Sequence, residues 1–318
     1  GITWRMNVRH FDQFIGRWRA VFGAFPERRT GNNKRYTMPD FALSAFAVFF
    51  TQCPSFLSFQ QNMEKANGLN NARSLFGVEC IPCDNHIRQM LDPVEACELF
   101  ILFDDLHKAF AATGLLEAMR AVNHTRLIAL DGTWYFSSQS KNIHCQNCSC
   151  LRHSDGQVTH YHSVITPVIV SPGHSQVVPL RPEFIRPQDG QEKQDCEINA
   201  SKRWLAAQAE RYSTGNDTLL GDDLYAHQPF CRQVLLHNFH FLFTCKPSSH
   251  SHLYGWVEAL EPGRALHALK LRLKGKSNRW EHHQYRWANG VPLTDSDDAL
   301  KVNWCELVST DSDGKVLY

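Results

Sequence analysis

The spacing of apolar residues changes once along this chain, near residue 125, and that change limits its fold more than any other feature. Before it, apolar side chains recur at helical spacing in Phe11 to Phe22, Phe41 to Phe50 and Ala96 to Leu116, as in helices that bury one face. After it they form short continuous runs. Leu127-Ile128-Ala129-Leu130-Asp131 is the first, an apolar segment of strand length ending in an acid, the pattern of a strand buried on both faces. The expected organisation is a helical part over residues 1 to 120 followed by an α/β part.

The breaks between elements are well marked. Thr30-Gly31-Asn32-Asn33 reads as a loop, Met38-Pro39-Asp40 as a helix start, and Pro82-Cys83-Asp84-Asn85 as another start capped by a carboxylate or carboxamide side chain. Beyond Asp131, Val158 to Val170 and Gln176 to Leu180 are β-rich, and a helix is expected from about Glu192 to Arg211 after Pro187-Gln188-Asp189-Gly190. Thr218-Leu219-Leu220-Gly221-Asp222 is the next strand, followed by a helix near Gln228 to His237 and a strand at Phe239 to Thr244. The order over residues 121 to 246 is thus βββαβαβ, that of the ribonuclease H-like fold, where acids ending the first and fourth strands lie side by side. Asp131 and Asp222 hold those two ends. Residues 247 to 318 return to strands at Leu266 to Leu273, Trp280 to Trp287 and Val302 to Val308, with turns at Ala288-Asn289-Gly290 and Asp311-Ser312-Asp313-Gly314. They read as a β-rich insertion or appended domain.

Composition excludes some classes. No apolar run is long enough to span a membrane and no signal pattern opens the chain, so a cytoplasmic protein without membrane contact is expected. The 11 cysteines are odd in number and partly clustered, which fits reduced thiols or a metal site better than a disulfide framework. The net charge of +1 conceals two basic stretches. Residues 1 to 36, with Arg17 and Arg19 among eight Arg or Lys against Asp12 and Glu27, carry a local +6; residues 264 to 286, with Lys274, Lys276 and Arg279, carry another +6. Each could be a solvated face, but together they suit a polyanion.

Two carboxylates at the mouth of a parallel sheet are what two-metal phosphoryl transfer requires, because hard Mg²⁺ or Mn²⁺ takes oxygen ligands. An acid at a strand end can also simply cap the next turn. Of the neighbours Asp222 and Asp223, strand alternation lets one ligate the same ion as Asp131, and Asp222 is the choice. A second constellation, His144-Cys145-Gln146-Asn147-Cys148-Ser149-Cys150 followed by His153, His160 and His162, has the spacing of a structural Zn²⁺ site, with Cys145 and Cys148 as the leading pair, against the alternative of free thiols and surface histidines.

Leu127 to Thr133 (LIALDGT) and Leu219 to Ala226 (LLGDDLYA) resemble the two aspartate motifs of the DDE transposases of bacterial insertion sequences. The phrases AFAVFFTQCPSF and CDNHIRQMLD within Arg35 to Asp92, and PQDGQEKQDCEINASKRW over Pro187 to Trp204, are similar to the branch with a β-strand insertion in the catalytic domain. The resemblance implies DNA cleavage and strand transfer at transposon ends, Mg²⁺ or Mn²⁺ held by Asp131 and Asp222, double-stranded DNA as partner and action as a homodimer. It also implies a base-stacking role for an insertion tryptophan, with Trp280 ahead of Trp287 and Trp304, beside Arg279. In that family the third acid is a glutamate on a helix after the insertion, with Tyr, Arg and Lys at helical spacing. Glu258, Glu261, Glu281 and Glu306 lack those companions, so the expectation is a fragment without that helix, binding DNA better than it cuts it. Two alternatives stay open. One is a noncatalytic DNA-binding remnant or regulator; the other is an unrelated metal-dependent nuclease or phosphatase, which needs a third acid inside the chain.

Overall fold

The structure, a computed structural model, describes residues 8–31, 34–140, 145, 148–187, 196–212, 216–260, 263–275 and 279–317. The chain forms two compact units, Gly1–Leu106 and His107–Tyr318, and is mixed α/β.

Every regular element described in the first unit is helical: α1 (Val8–Gly23), α2 (Met38–Phe50), α3 (Phe56–Met63), α4 (Ala66–Phe76), α5 (Asp84–Leu91) and the start of α6 (Phe100–Ala112). Local chemistry sets the ends. Thr37 and Asp40 form a reciprocal capping box with Pro39 in the first turn of α2, Ser55 caps α3, and Gly77 closes α4 at φ 63°, a left-handed conformation that costs glycine little. The start of α5 departs from expectation: Cys83 occupies the cap position with no side-chain bond. Asp84 instead accepts from Arg88 one turn on, at 2.7 Å. Phe41, Leu43, Phe59 and Phe76 are fully buried in the core of this unit.

In the second unit, after α7 (Leu115–Ala118), come β1 (Arg126–Ala129), β2 (Gly132–Ser138), β3 (Ser149–Arg152), β4 (Val158–Ile165), β5 (Val168–Val170), β6 (Val178–Pro179) and β7 (Glu183–Ile185). These are followed by α8 (Glu197–Tyr212), β8 (Asp217–Gly221), α9 (Gln228–Leu236), β9 (His240–Phe243) and α10 (Ser251–Ala259). A five-stranded sheet runs β6-β5-β1-β8-β9. In it β1 is antiparallel to β5 and parallel to β8, and β8 is parallel to β9. Ile128 and Leu219 from its centre pack with Trp204 and Leu205 of α8 and Phe230 and Val234 of α9. Burial of both faces explains why β1 and β8 read as unbroken apolar runs.

Two features depart from the sequence pattern. The run from Val158 to Val170 is two strands separated by Thr166-Pro167, and its halves join different sheets; proline has no N–H for the ladder and breaks the strand there. The chain also continues past Asp131 as β2, which with β3, β4 and β7 builds a second, four-stranded sheet. The last strands, β10 (His267–Lys274), β11 (Trp280–Pro292) and β12 (Lys301–Asp311), form an antiparallel sheet. The expected turn at Ala288-Asn289-Gly290 is a bulge inside β11, between Ala288 and Val291, with Gly290 at φ 68°.

Candidate functional site

The ladder between β1 and β8 fixes the two aspartates. Its last pair is Ala129 with Leu220, and the Leu130 N–H donates to the Leu220 carbonyl at 2.9 Å. Continuing that register by two residues sets Asp131 opposite Asp222, just past the carboxyl ends of adjacent parallel strands. Both are exposed. Asp222 Oδ1 accepts from the Leu224 N–H at 2.9 Å, a bond that forms the turn after β8 and involves one of its two oxygens. Asp223 is differently employed. It accepts from the Lys246 N–H at 2.6 Å and the Ser249 hydroxyl at 2.5 Å, with His250 Nε2 at 3.3 Å. Burial opposes its charge, but the Ser249 hydroxyl, the Lys246 amide and His250 hold its carboxyl below the usual range.

A third acid, in a polar helical stretch that marks no site by itself, stands beside Asp131. Glu197 opens α8, and a methyl group added at Gly132 would lie 2.5 Å from Glu197 Oε2. Its Oε1 accepts from the Tyr225 hydroxyl at 2.5 Å, and the Ser201 hydroxyl donates to the same Tyr225 oxygen at 3.3 Å. Tyr225 belongs to the turn after Asp222, its N–H donating to the Asp222 carbonyl at 3.2 Å. Burial, then the Glu197 bond and the nearby Asp131 charge, push the Tyr225 phenol far above its ordinary value, so it stays a neutral donor. Gly221 is confined in turn, its added Cβ lying 2.7 Å from the Tyr225 ring. The glycines flanking Asp131 and Asp222 are therefore spacers that let α8 and Tyr225 close on the strand ends.

This packing makes a direct prediction. Gly132→Ala is expected to push the Glu197 carboxylate off Tyr225 and destabilise the chain by about 1–3 kcal/mol, the usual cost of overpacking. Glu197→Ala in the same background should recover most of that loss in urea unfolding. A Gly132→Ala chain as stable as the parent would contradict the contact.

The other candidate residues fall elsewhere. Glu281 accepts from His283 at 3.0 Å and Glu306 from Arg286 at 2.7 Å, both within the β10–β12 sheet; Glu258 lies on α10, and Glu261 lies outside the described residues. Arg17 pairs with the buried Asp105, and Arg19 donates to the Phe76 and Gly77 carbonyls, so both side chains hold the helical unit together. On β10, Lys270, Arg272 and Lys274 alternate onto one face, opposite Gln284, His282 and Trp280 of β11. Arg272 and Lys274 stand 4.5 and 5.5 Å from the Trp280 ring centre. Trp280 is 42% exposed and Trp304 is 3% exposed, while Trp287 stacks on His267. Arg279 is exposed, and Lys276 lies outside the described residues.

The cysteine–histidine constellation also closes. Among the described residues, Cys145, Cys148 and His162 are the group of His, Cys, Asp and Glu whose ligand atoms all lie within 4.8 Å of one another. His144 lies outside the described residues, and His153 instead meets the Thr159 hydroxyl at 2.8 Å. Burial pushes the Cys148 thiol up to about 11 and lowers His162. No described helix is long and apolar enough to cross a membrane. No protein-family model matches this chain, and no curated protein matches it significantly.

Proposed function

We propose that this chain is a transposase of the DDE type, carrying out metal-dependent cleavage and strand transfer at DNA ends, with Asp131 and Asp222 as its metal-holding acids. The observation that carries the reading is the parallel β1–β8 register, which ends at Ala129 with Leu220 and, carried on by two residues, brings Asp131 opposite Asp222. The order β6-β5-β1-β8-β9, with an antiparallel neighbour on one side of β1 and a parallel one on the other, supports a ribonuclease H-like domain, and the helical first unit supports a separate DNA-contacting domain. The donors fit hard divalent cations, since Asp131, Asp222 and Glu197 offer carboxylate oxygens. Mg²⁺ or Mn²⁺ held there supplies activation of the attacking oxygen and stabilisation of the leaving one. Asp131 and Asp222 hold and orient, while Tyr225 keeps Glu197 in place.

The internal position of Glu197 favours a second reading, a metal-dependent nuclease whose third acid is Glu197. The two part at the second step. Incubating the chain with Mg²⁺, a DNA end and a target duplex is expected to give slow nicking of the end, weaker than the chain's binding to it, and then a joined product; cleavage without joining selects the nuclease, and no metal-dependent cleavage sinks both.

The basic face of β10 supports the DNA partner. Lys270, Arg272 and Lys274 share it with Trp280, a pairing of phosphate-neutralising charge with a stacking ring. Replacing Arg272 and Lys274 with Glu should weaken duplex binding and reduce the slope of log affinity on log salt by about 2. An unchanged slope would remove this face from the interface.

A further inference from the structure

We infer that Cys145, Cys148 and His162 hold a structural zinc ion that ties Cys145 to the β3–β4 hairpin. Ser149 pairs with Tyr161 and Cys150 with His160 across that hairpin, so Cys148 stands opposite His162 one pair beyond. Their Sγ and Nε2 atoms are 3.0 Å apart, and Cys145 Sγ reaches the same nitrogen at 3.4 Å. In a tetrahedral zinc site, with Zn–S near 2.3 Å and Zn–N near 2.0–2.1 Å, sulfur and nitrogen ligands are about 3.6 Å apart. The two sulfur–nitrogen separations thus need to open by about 0.6 and 0.2 Å to admit the ion.

The imidazole is already set for this role. Its Nδ1 lies 3.3 Å from the Tyr135 hydroxyl oxygen, a partner that fixes the ring and leaves Nε2 aimed at the sulfurs, as the outer shell of a zinc histidine does. Cys145 and Cys148 are free thiols. Cys150 stands on the same face of the hairpin as Cys148, its Sγ now 3.3 Å from His160 Nδ1, and is the donor that can swing in to complete a closed structural site. Each cysteine enters as thiolate, its proton passing to the buffer. The soft donor set selects zinc over the hard cations proposed for Asp131 and Asp222, so this site stands independently of the cleavage reaction.

The test is metal titration of the full chain after chelator treatment and dialysis. One Zn²⁺ per chain should bind tightly, and Co²⁺ in its place should show thiolate-to-cobalt charge transfer and the visible bands of a tetrahedral ion. Cys148→Ser and His162→Ala are expected to weaken binding by more than about a hundredfold, beyond what loss of an outer-shell partner costs. His162→Cys should retain one tetrahedral Co²⁺, which separates loss of a ligand from loss of folding, and Cys305→Ser, at an exposed cysteine of β12, should bind as the parent does. Uptake below one metal per chain, or unchanged binding by Cys148→Ser, would overturn the assignment.

Discussion

Asp222→Asn is expected to slow metal-dependent DNA nicking by at least about a thousandfold, roughly 4 kcal/mol of transition-state stabilisation, while Asp223→Asn stays within about tenfold of the parent. The two residues are adjacent, so composition and gross charge cannot account for such a difference. Geometry can. Asp222 is in register with Asp131 past the end of the β1–β8 ladder, whereas both oxygens of Asp223 are spent on Lys246 and Ser249. An asparagine at 223 can still accept from the Lys246 amide, and the Ser249 hydroxyl can turn to accept from the new NH₂. Asp131→Asn should match Asp222→Asn, and the double variant should be little worse than either, because ligands of one site act as a unit. Single-turnover nicking in Mg²⁺ reads all four. Equal losses in Asp222→Asn and Asp223→Asn would remove the register argument, and cleavage surviving Asp222→Asn would remove the site.

What the sequence made legible was whatever depends on local pattern. The apolar runs before Asp131 and Asp222 announce strands buried on both faces, and β1 and β8 are where those runs lie. The helical spacing up to Leu116 likewise corresponds to helices. Features that depend on the third dimension were not legible. The segment Gly132–Ser138 carries three exposed aromatics, Trp134, Tyr135 and Phe136, with no alternation to mark it as the strand it is. Glu197 sits in a polar helical stretch, and nothing in its neighbours signals Tyr225 or Gly132. Gly132 and Gly221 were legible only as parts of motifs; their reason is the space taken by Glu197 and Tyr225. Cys145 and Cys148 announce a metal pair by spacing, but His162 emerges from the four histidines His144, His153, His160 and His162 only once the hairpin register is known. Arg17 and Arg19 show that a count of charge leaves out which charges are paired within the fold.

Asp217→Ala should be among the most destabilising single substitutions in the second unit, costing about 3–5 kcal/mol and lowering its unfolding midpoint by on the order of 10 °C. Arg126 and Asp217 are both buried and pair through two hydrogen bonds of 2.6 and 3.0 Å, so removing the carboxylate strands a guanidinium in the interior. Replacing both partners with apolar residues of similar size should return stability to within about 2 kcal/mol of the parent, since a buried ion pair is worth little against good packing. A cost below about 1 kcal/mol for Asp217→Ala would show that water reaches the arginine. The pair matters for the site because of where it lies. It is the first rung of the β1–β8 ladder, and Arg126 also donates to the Tyr212 carbonyl at the end of α8, at 2.7 Å. One guanidinium therefore joins β1, β8 and α8 at one end, and these three elements present Asp131, Asp222 and Glu197 at the other. A slip of one residue between β1 and β8 would turn one aspartate to the opposite face of the sheet. The apolar double variant should consequently fold while nicking more slowly than the parent, because packing alone restores the stability of this rung without restoring its selection of register.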